Sequence, residues 1–162
     1  MTTTLFDRAF DYLMDIERGY SNDPDDPGGK TKYGISKKSF PDEDIENLTK
    51  DRAKVLYRIH YWEQYKCHLI KSPILAIELF VAVVNINAVK VIKMLQRACN
   101  TLGATLEPDG IMGVQTLTFI NCFRHPKAIL AAMEGEMYGH YKEGKKKYIA
   151  GWLIRNDKDF EA

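Results

Sequence analysis

The chain is expected to be mainly α, a bundle of helices around one central apolar helix, with a short β-hairpin or irregular loop after the first helix. Three observations predict this. Phe6, Phe10 and Leu13 recur at the spacing of one helical face. The stretch from Ile74 to Ile86 is apolar nearly all round, which suits a helix enclosed by others. Between these, residues 20–31 are dense in Asn, Asp, Pro and Gly, types that favour turns and interrupt regular structure.

Each element has its own signal. Thr4, followed three residues later by Asp7, predicts an N-terminal cap, and Gly19 is placed to end the first helix. Glu17 continues the stripe of Phe6, Phe10 and Leu13, so it is expected at the helix C-terminus, facing inward. Tyr33 and Ile35, with polar neighbours, predict a short strand or hairpin edge before Pro41. Thr49 can cap a second helix on which Ala53, Leu56, His60 and Tyr61 share a face, and Pro73 can open the third. Val89, Ile92, Leu95, Gln96 and Cys99 predict a fourth helix ending near Gly103, followed by a turn at Asp109-Gly110. Further helices are expected from Gly113 to Cys122 and from Pro126 to about Tyr148. With no repeat, low-complexity tract or flexible linker in view, the regions 1–90 and 91–162 are expected to complete one compact domain.

Composition narrows the function classes. A net charge of +1, from 23 basic and 22 acidic residues, lacks the basic excess of a nucleic-acid binder. Lys145, Lys146 and Lys147 read as a solvated helix face. Cys67, Cys99 and Cys122 match neither a disulfide framework nor a zinc pattern, and read as buried thiols made in a reducing compartment. The four histidines show no ligand spacing, and the acidic segment from Asp23 to Lys30 lacks the ligand order of a calcium-binding EF-hand, so no metal or cofactor is expected. The N-terminus lacks the positive-then-apolar order of a secretory signal, and the longest apolar stretch is shorter than the roughly 20 residues that span a bilayer. The reading is a monomer made in the cytoplasm, not inserted in a membrane, and delivered to any external target by a holin, a secretion machine or lysis.

The loop after the first helix carries the candidate chemistry. A carboxyl at the end of an apolar stripe is partly desolvated, which disfavours its ionised form and keeps a proton available near neutral pH. Glu17 is suited to be a general acid. If the loop folds back, Asp25 or Asp26 can activate water and the Thr31 hydroxyl can position it. The same residue types also make turns through side chain to backbone hydrogen bonds, and the residues alone leave both roles open. Tyr20 and Tyr33 flank the acidic loop and can stack on sugar rings, as can Tyr61; Trp62 is expected in the core.

The run Glu17-Arg-Gly-Tyr-Ser-Asn-Asp-Pro-Asp-Asp-Pro-Gly-Gly-Lys-Thr-Lys-Tyr-Gly-Ile-Ser36 resembles the signature of glycoside hydrolase family 108, which contains cell-wall muramidases. Pro41, Asp44-Ile45, Leu48-Thr49, Ala53, Tyr57 and Tyr61-Trp62 resemble further family positions. The resemblance implies a lysozyme-like helical fold, hydrolysis of the bond between N-acetylmuramic acid and N-acetylglucosamine, bacterial peptidoglycan as partner, and a catalytic Glu17. It leaves the second catalytic group among Asp25, Asp26 and Thr31. In the second half, Leu95-Gln96, Asn100, Gly103, Asp109-Gly110-Ile111, Gly113 and Thr116 resemble the peptidoglycan-binding segment that follows the catalytic region in this family, with scaffold the favoured physical reading.

Arg18 stands where the family pattern has a Gly after the catalytic Glu, and two positions around the central helix depart from it as well. Val81 stands where an Asp is expected and Asn87 where a Gly is expected, the latter adding bulk where backbones can approach closely. Between them Asn85 matches the pattern and is expected to bind substrate. The rival readings are a lytic transglycosylase, which needs no activated water, and a catalytically weakened peptidoglycan-binding protein.

Overall fold

A computed structural model describes residues 2–16 and 30–144 of the chain. Among them the fold is mainly α, as expected, with six α-helices and one two-stranded antiparallel sheet. Two compact units divide the chain, the first ending at Tyr65 and the second beginning at Lys66.

In the first unit, α1 spans Leu5–Ile16. Its predicted cap is present: the Asp7 N–H donates to Thr4 Oγ1 at 3.1 Å, while the Thr4 N–H donates back to Asp7 Oδ2 at 2.7 Å. Phe6, Ala9, Phe10 and Leu13 are buried along one face. β1 (Thr31–Lys32) and β2 (Ile35–Ser36) form a minimal hairpin with Thr31 opposite Ser36 and Lys32 opposite Ile35. α2 spans Lys50–Tyr57, and Thr49 caps it by accepting from the Arg52 N–H.

The face predicted for α2 needs one correction. Ala53 and Leu56 are buried, but His60 is exposed. From Arg58 to Glu63 the chain continues as a π-helical turn. Its wider i→i+5 spacing breaks the α repeat, so Trp62, not His60, enters the core. Phe6 meets Trp62 at a ring separation of 5.6 Å and Phe10 meets Tyr57 at 5.9 Å, so α1 and the α2 region share an aromatic core.

In the second unit, a short 3₁₀ turn at Cys67–Leu69 leads into α3 (Pro73–Asn85), with Ser72 as N-cap and Pro73 in its first turn. Leu75, Ala76, Ile77, Leu79, Phe80, Val81, Ala82 and Val83 are all buried, the all-round apolar helix that the sequence predicts. α4 (Ala88–Thr101), α5 (Val114–Cys122) and α6 (Pro126–Gly144) follow, with α4 packed chiefly on α6. Cys67 and Cys99 are buried as expected, but Cys122 is exposed: α5 turns Thr116 and Ile120 inward and leaves its final residue in solvent. Burial raises the Cys99 thiol to about 12 and pushes Cys67 further still, so both are protonated at neutral pH.

Candidate active site

Glu17, Arg18, Tyr20, Asp25 and Asp26 lie outside the described residues. What the structure places are the segments on either side of them. On one side, α1 buries Phe6, Phe10 and Leu13 up to its last turn. On the other, Lys30 forms an ion pair with Glu46, and Lys32 Nζ donates to the Glu46 carbonyl at 2.9 Å. Both cations are thereby anchored to the segment that precedes α2.

Thr31 and Tyr33 are brought together on the hairpin. Thr31 is half-buried in β1, and Tyr33 is the first of two turn residues. Positive φ at both, 51° for Tyr33 and 75° for Gly34, is the signature of a type I′ turn. Gly34 adopts it without steric cost, whereas Tyr33 carries a Cβ in the left-handed region, a conformation that persists only when neighbours hold it. The holding group is Tyr57, whose buried hydroxyl donates to the Tyr33 carbonyl at 2.9 Å. The Tyr33 ring is half-buried, with Lys32 Nζ 5.8 Å from its centroid. One aromatic core thus supports both α1 and the Thr31 hairpin through Phe10 and Tyr57.

Asn85 belongs to the second unit, exposed at the end of α3, with its Nδ2 donating to the Val81 carbonyl at 2.9 Å. The two departures around the central helix acquire structural reasons. Val81 is only 4% exposed, so its apolar side chain suits a site where an unpaired carboxylate would be strongly disfavoured. Asn87 is exposed at φ −53°, and its Oδ1 accepts from the Lys90 N–H at 3.2 Å, so it caps α4. The bulk foreseen for Asn87 is exposed, and Asn is a strong N-cap residue.

Of the peptidoglycan-binding-like residues, Leu95, Gln96, Gly110 and Thr116 are buried, whereas Gly103, Asp109 and Ile111 are exposed. Gln96 is 2% exposed; its Nε2 donates to Asp109 Oδ1 at 2.8 Å, the Ile111 carbonyl at 3.1 Å and Thr116 Oγ1 at 3.3 Å. Its Oε1 accepts from the Gly110 N–H at 2.9 Å. The Gln96 hydrogen bond, then the Ile111 N–H, hold the Asp109 carboxyl below its ordinary pKa. Asn100 brackets Leu106, donating to its carbonyl at 2.8 Å and accepting its N–H at 2.7 Å. These contacts are scaffold. Among the described residues no group of three His, Cys, Asp or Glu side chains is arranged to hold a metal, and no helix is long and apolar enough to cross a membrane.

The family model described as Glycosyl hydrolase 108 matches residues 10–86, a span that runs from α1 through α3 and includes every candidate site residue. Brucella abortus SagA is similar in fold, with a TM-score of 0.77 and 22% sequence identity, covering 93% of this chain and 88% of that chain. No curated protein matches the sequence.

Proposed function

We propose that this chain, whose residues 10–86 match the family model described as Glycosyl hydrolase 108, is a glycoside hydrolase acting on peptidoglycan, a muramidase with Glu17 as general acid. The bond cleaved is the one between N-acetylmuramic acid and N-acetylglucosamine. What supports this reading is the family match over residues 10–86, together with the sequence spacing that puts Glu17 in register with Phe6, Phe10 and Leu13, all three of which are in the core. An apolar stripe that ends in a carboxyl favours its protonated form, as proton donation to a leaving glycosidic oxygen requires.

In the proposed mechanism Glu17 protonates that oxygen as the bond breaks. Asp25 or Asp26 takes the second role, and the Thr31 hydroxyl orients the attacking water. Carboxyl groups about 5–5.5 Å apart would make the reaction retaining, and about 6.5–9.5 Å inverting. The fold-level support is the Tyr57 contact that fixes the Thr31 hairpin. Asn85, Tyr20 and Tyr33 are proposed to contact the glycan. Synthesis in the cytoplasm, with delivery by a holin or a secretion machine, fits an enzyme whose polymer lies outside the membrane.

The test is mass spectrometry of purified peptidoglycan after incubation with wild type and with Glu17→Gln, folding being checked by circular dichroism. Wild type should release reducing N-acetylmuramic ends, and the amide variant, which keeps the shape but cannot donate the proton, should lose at least about 100-fold in turnover. Anhydro ends would replace hydrolysis by transglycosylation, and an active Glu17→Gln would remove the general-acid assignment. Asp25→Asn, Asp26→Asn and Thr31→Ala then identify the second group by the largest loss of turnover.

A further inference from the structure

The first unit contains a cavity of about 470 Å³ whose lining, among the described residues, does not include Thr31. Phe40 and Glu43 contribute from the segment after the hairpin, Arg52 from α2, His60 and Tyr61 from the π-helical turn, and Tyr65 from just beyond it. Its volume falls within the roughly 300–1,000 Å³ typical of small-ligand sites.

The π turn builds this wall. An uninterrupted α-helix would carry the Ala53, Leu56, His60 face into the core; the wider turn instead leaves His60 outside, edge-on to Phe40 at 5.1 Å. Such turns are rare in helices and concentrate at functional positions. Beside His60, Tyr61 is half-buried against Tyr57 at 5.5 Å. Desolvation, then the neighbouring Tyr65, raises the Tyr61 pKa, so its hydroxyl stays a neutral donor and acceptor.

The polar atoms of the wall are only partly used. Arg52 reaches both carboxylate oxygens of Glu43, which cancels their charges and holds Glu43 below its ordinary pKa. Two of the five guanidinium N–H donors are engaged in this way. The Tyr61 and Tyr65 hydroxyls and the His60 ring nitrogens make no hydrogen bond among the described residues.

A wall of aromatic rings with unused donors and acceptors, a neutralised ion pair and the Asp42 carboxylate, which has no ion pair among the described residues, suits a ligand with an apolar face and a rim of hydroxyl donors. A pyranose ring has that form, with C–H bonds on its faces and hydroxyls around its edge; an N-acetyl group adds a methyl for the rings and an amide for the polar atoms. We propose that this cavity is a saccharide-binding subsite for an N-acetylated sugar, holding the glycan away from the bond that is cleaved. The identity of the polymer rests on the muramidase reading; the sugar chemistry of the cavity does not.

The probe is chitotetraose, titrated into the full chain carrying Glu17→Gln while backbone amide shifts are followed by NMR. Saturable shifts are expected at residues 40–43 and 60–65. His60→Ala and Tyr65→Ala should weaken the binding constant read from those amides by roughly three- to tenfold. Tyr65→Phe, which keeps the ring, serves if the alanine variant unfolds, and should show a smaller weakening through loss of its hydroxyl. On intact wall, in the otherwise wild-type chain, His60→Ala should raise KM and spare kcat, because a contact made equally in ground and transition states changes binding alone. Absence of saturable shifts at those residues, or equal binding by all variants, overturns the subsite. Wall cleavage without the shifts keeps the muramidase and discards the subsite; the shifts without wall cleavage do the reverse.

Discussion

Two tight turns in this molecule solve the same problem in different ways. In the second unit the Asp109-Gly110 turn is closed by one buried side chain, Gln96, through four hydrogen bonds to Asp109, Gly110, Ile111 and Thr116. In the first unit the Tyr33-Gly34 turn receives one hydroxyl, from Tyr57, and has a tyrosine in the left-handed region. The first turn is closed by a single buried side chain, and the second places a tyrosine in the left-handed region. Strain that surrounding contacts must maintain concentrates where chemistry is done. The difference therefore sets a turn built round one buried side chain against the hairpin that carries Thr31, the residue proposed to orient water.

The contrast can be broken most forcefully at Gln96. Gln96→Ala strands the buried Gly110 N–H and removes one of two partners of the Asp109 carboxylate, at an expected cost of about 1–3 kcal/mol in urea unfolding. Turnover well below the melting temperature should be unchanged; a kcat loss in a fully folded variant would give the motif a direct role in substrate handling. Gly110→Ala is expected to cost about 1–3 kcal/mol, since the residue has φ +82°. A Cβ there would lie 2.6 Å from Val89 Cγ1 and 2.9 Å from the Val89 carbonyl oxygen, and that backbone atom cannot rotate away.

Tyr57→Phe should cost only about 1 kcal/mol, the net value of one hydrogen bond, yet lower turnover several-fold by loosening the Thr31 hairpin. Equal turnover by wild type and Tyr57→Phe would show that the hairpin needs no such support. The smallest effect concerns pH. The Asp7 carboxyl is held well below the usual carboxylate range, chiefly by its hydrogen bond with Lys54 and then by Thr4. A depressed folded-state pKa contributes stability that is complete above the unfolded value of about 3.9 and fades as pH falls towards the folded one. The melting-temperature difference between wild type and Asp7→Asn should accordingly be constant above about pH 5 and shrink in acid. A difference that instead grew in acid would reverse the assigned sign.

Part of the candidate site was legible from residue types alone. Tyr33 and Ile35 marked the hairpin that carries Thr31, while the Asn, Asp, Pro and Gly run before it falls almost wholly outside the described residues. Arg52 and Tyr65 drew no attention, because the cavity they line gathers residues from the post-hairpin segment, α2 and the π turn. Asn87 looked like an intrusion where glycine was expected, and its role as a cap emerges only from the position at which α4 begins.

What the sequence by itself determined was the set of helices, with the caps at Thr4 and Thr49, the Pro73 start of α3 and its enclosed character. Those features depend on residues three or four apart, whose contacts are set by the helical repeat wherever the helix lies. Tertiary structure decided which side of the repeat won at residues 58–63, where placing Trp62 beside Phe6 required a π turn and left His60 outside. It also turned Gln96 from one more residue on an apolar stripe into the centre of a turn, through partners 13 to 20 residues away. Contacts at such separations carry no local period, so they exist only once the helices have packed.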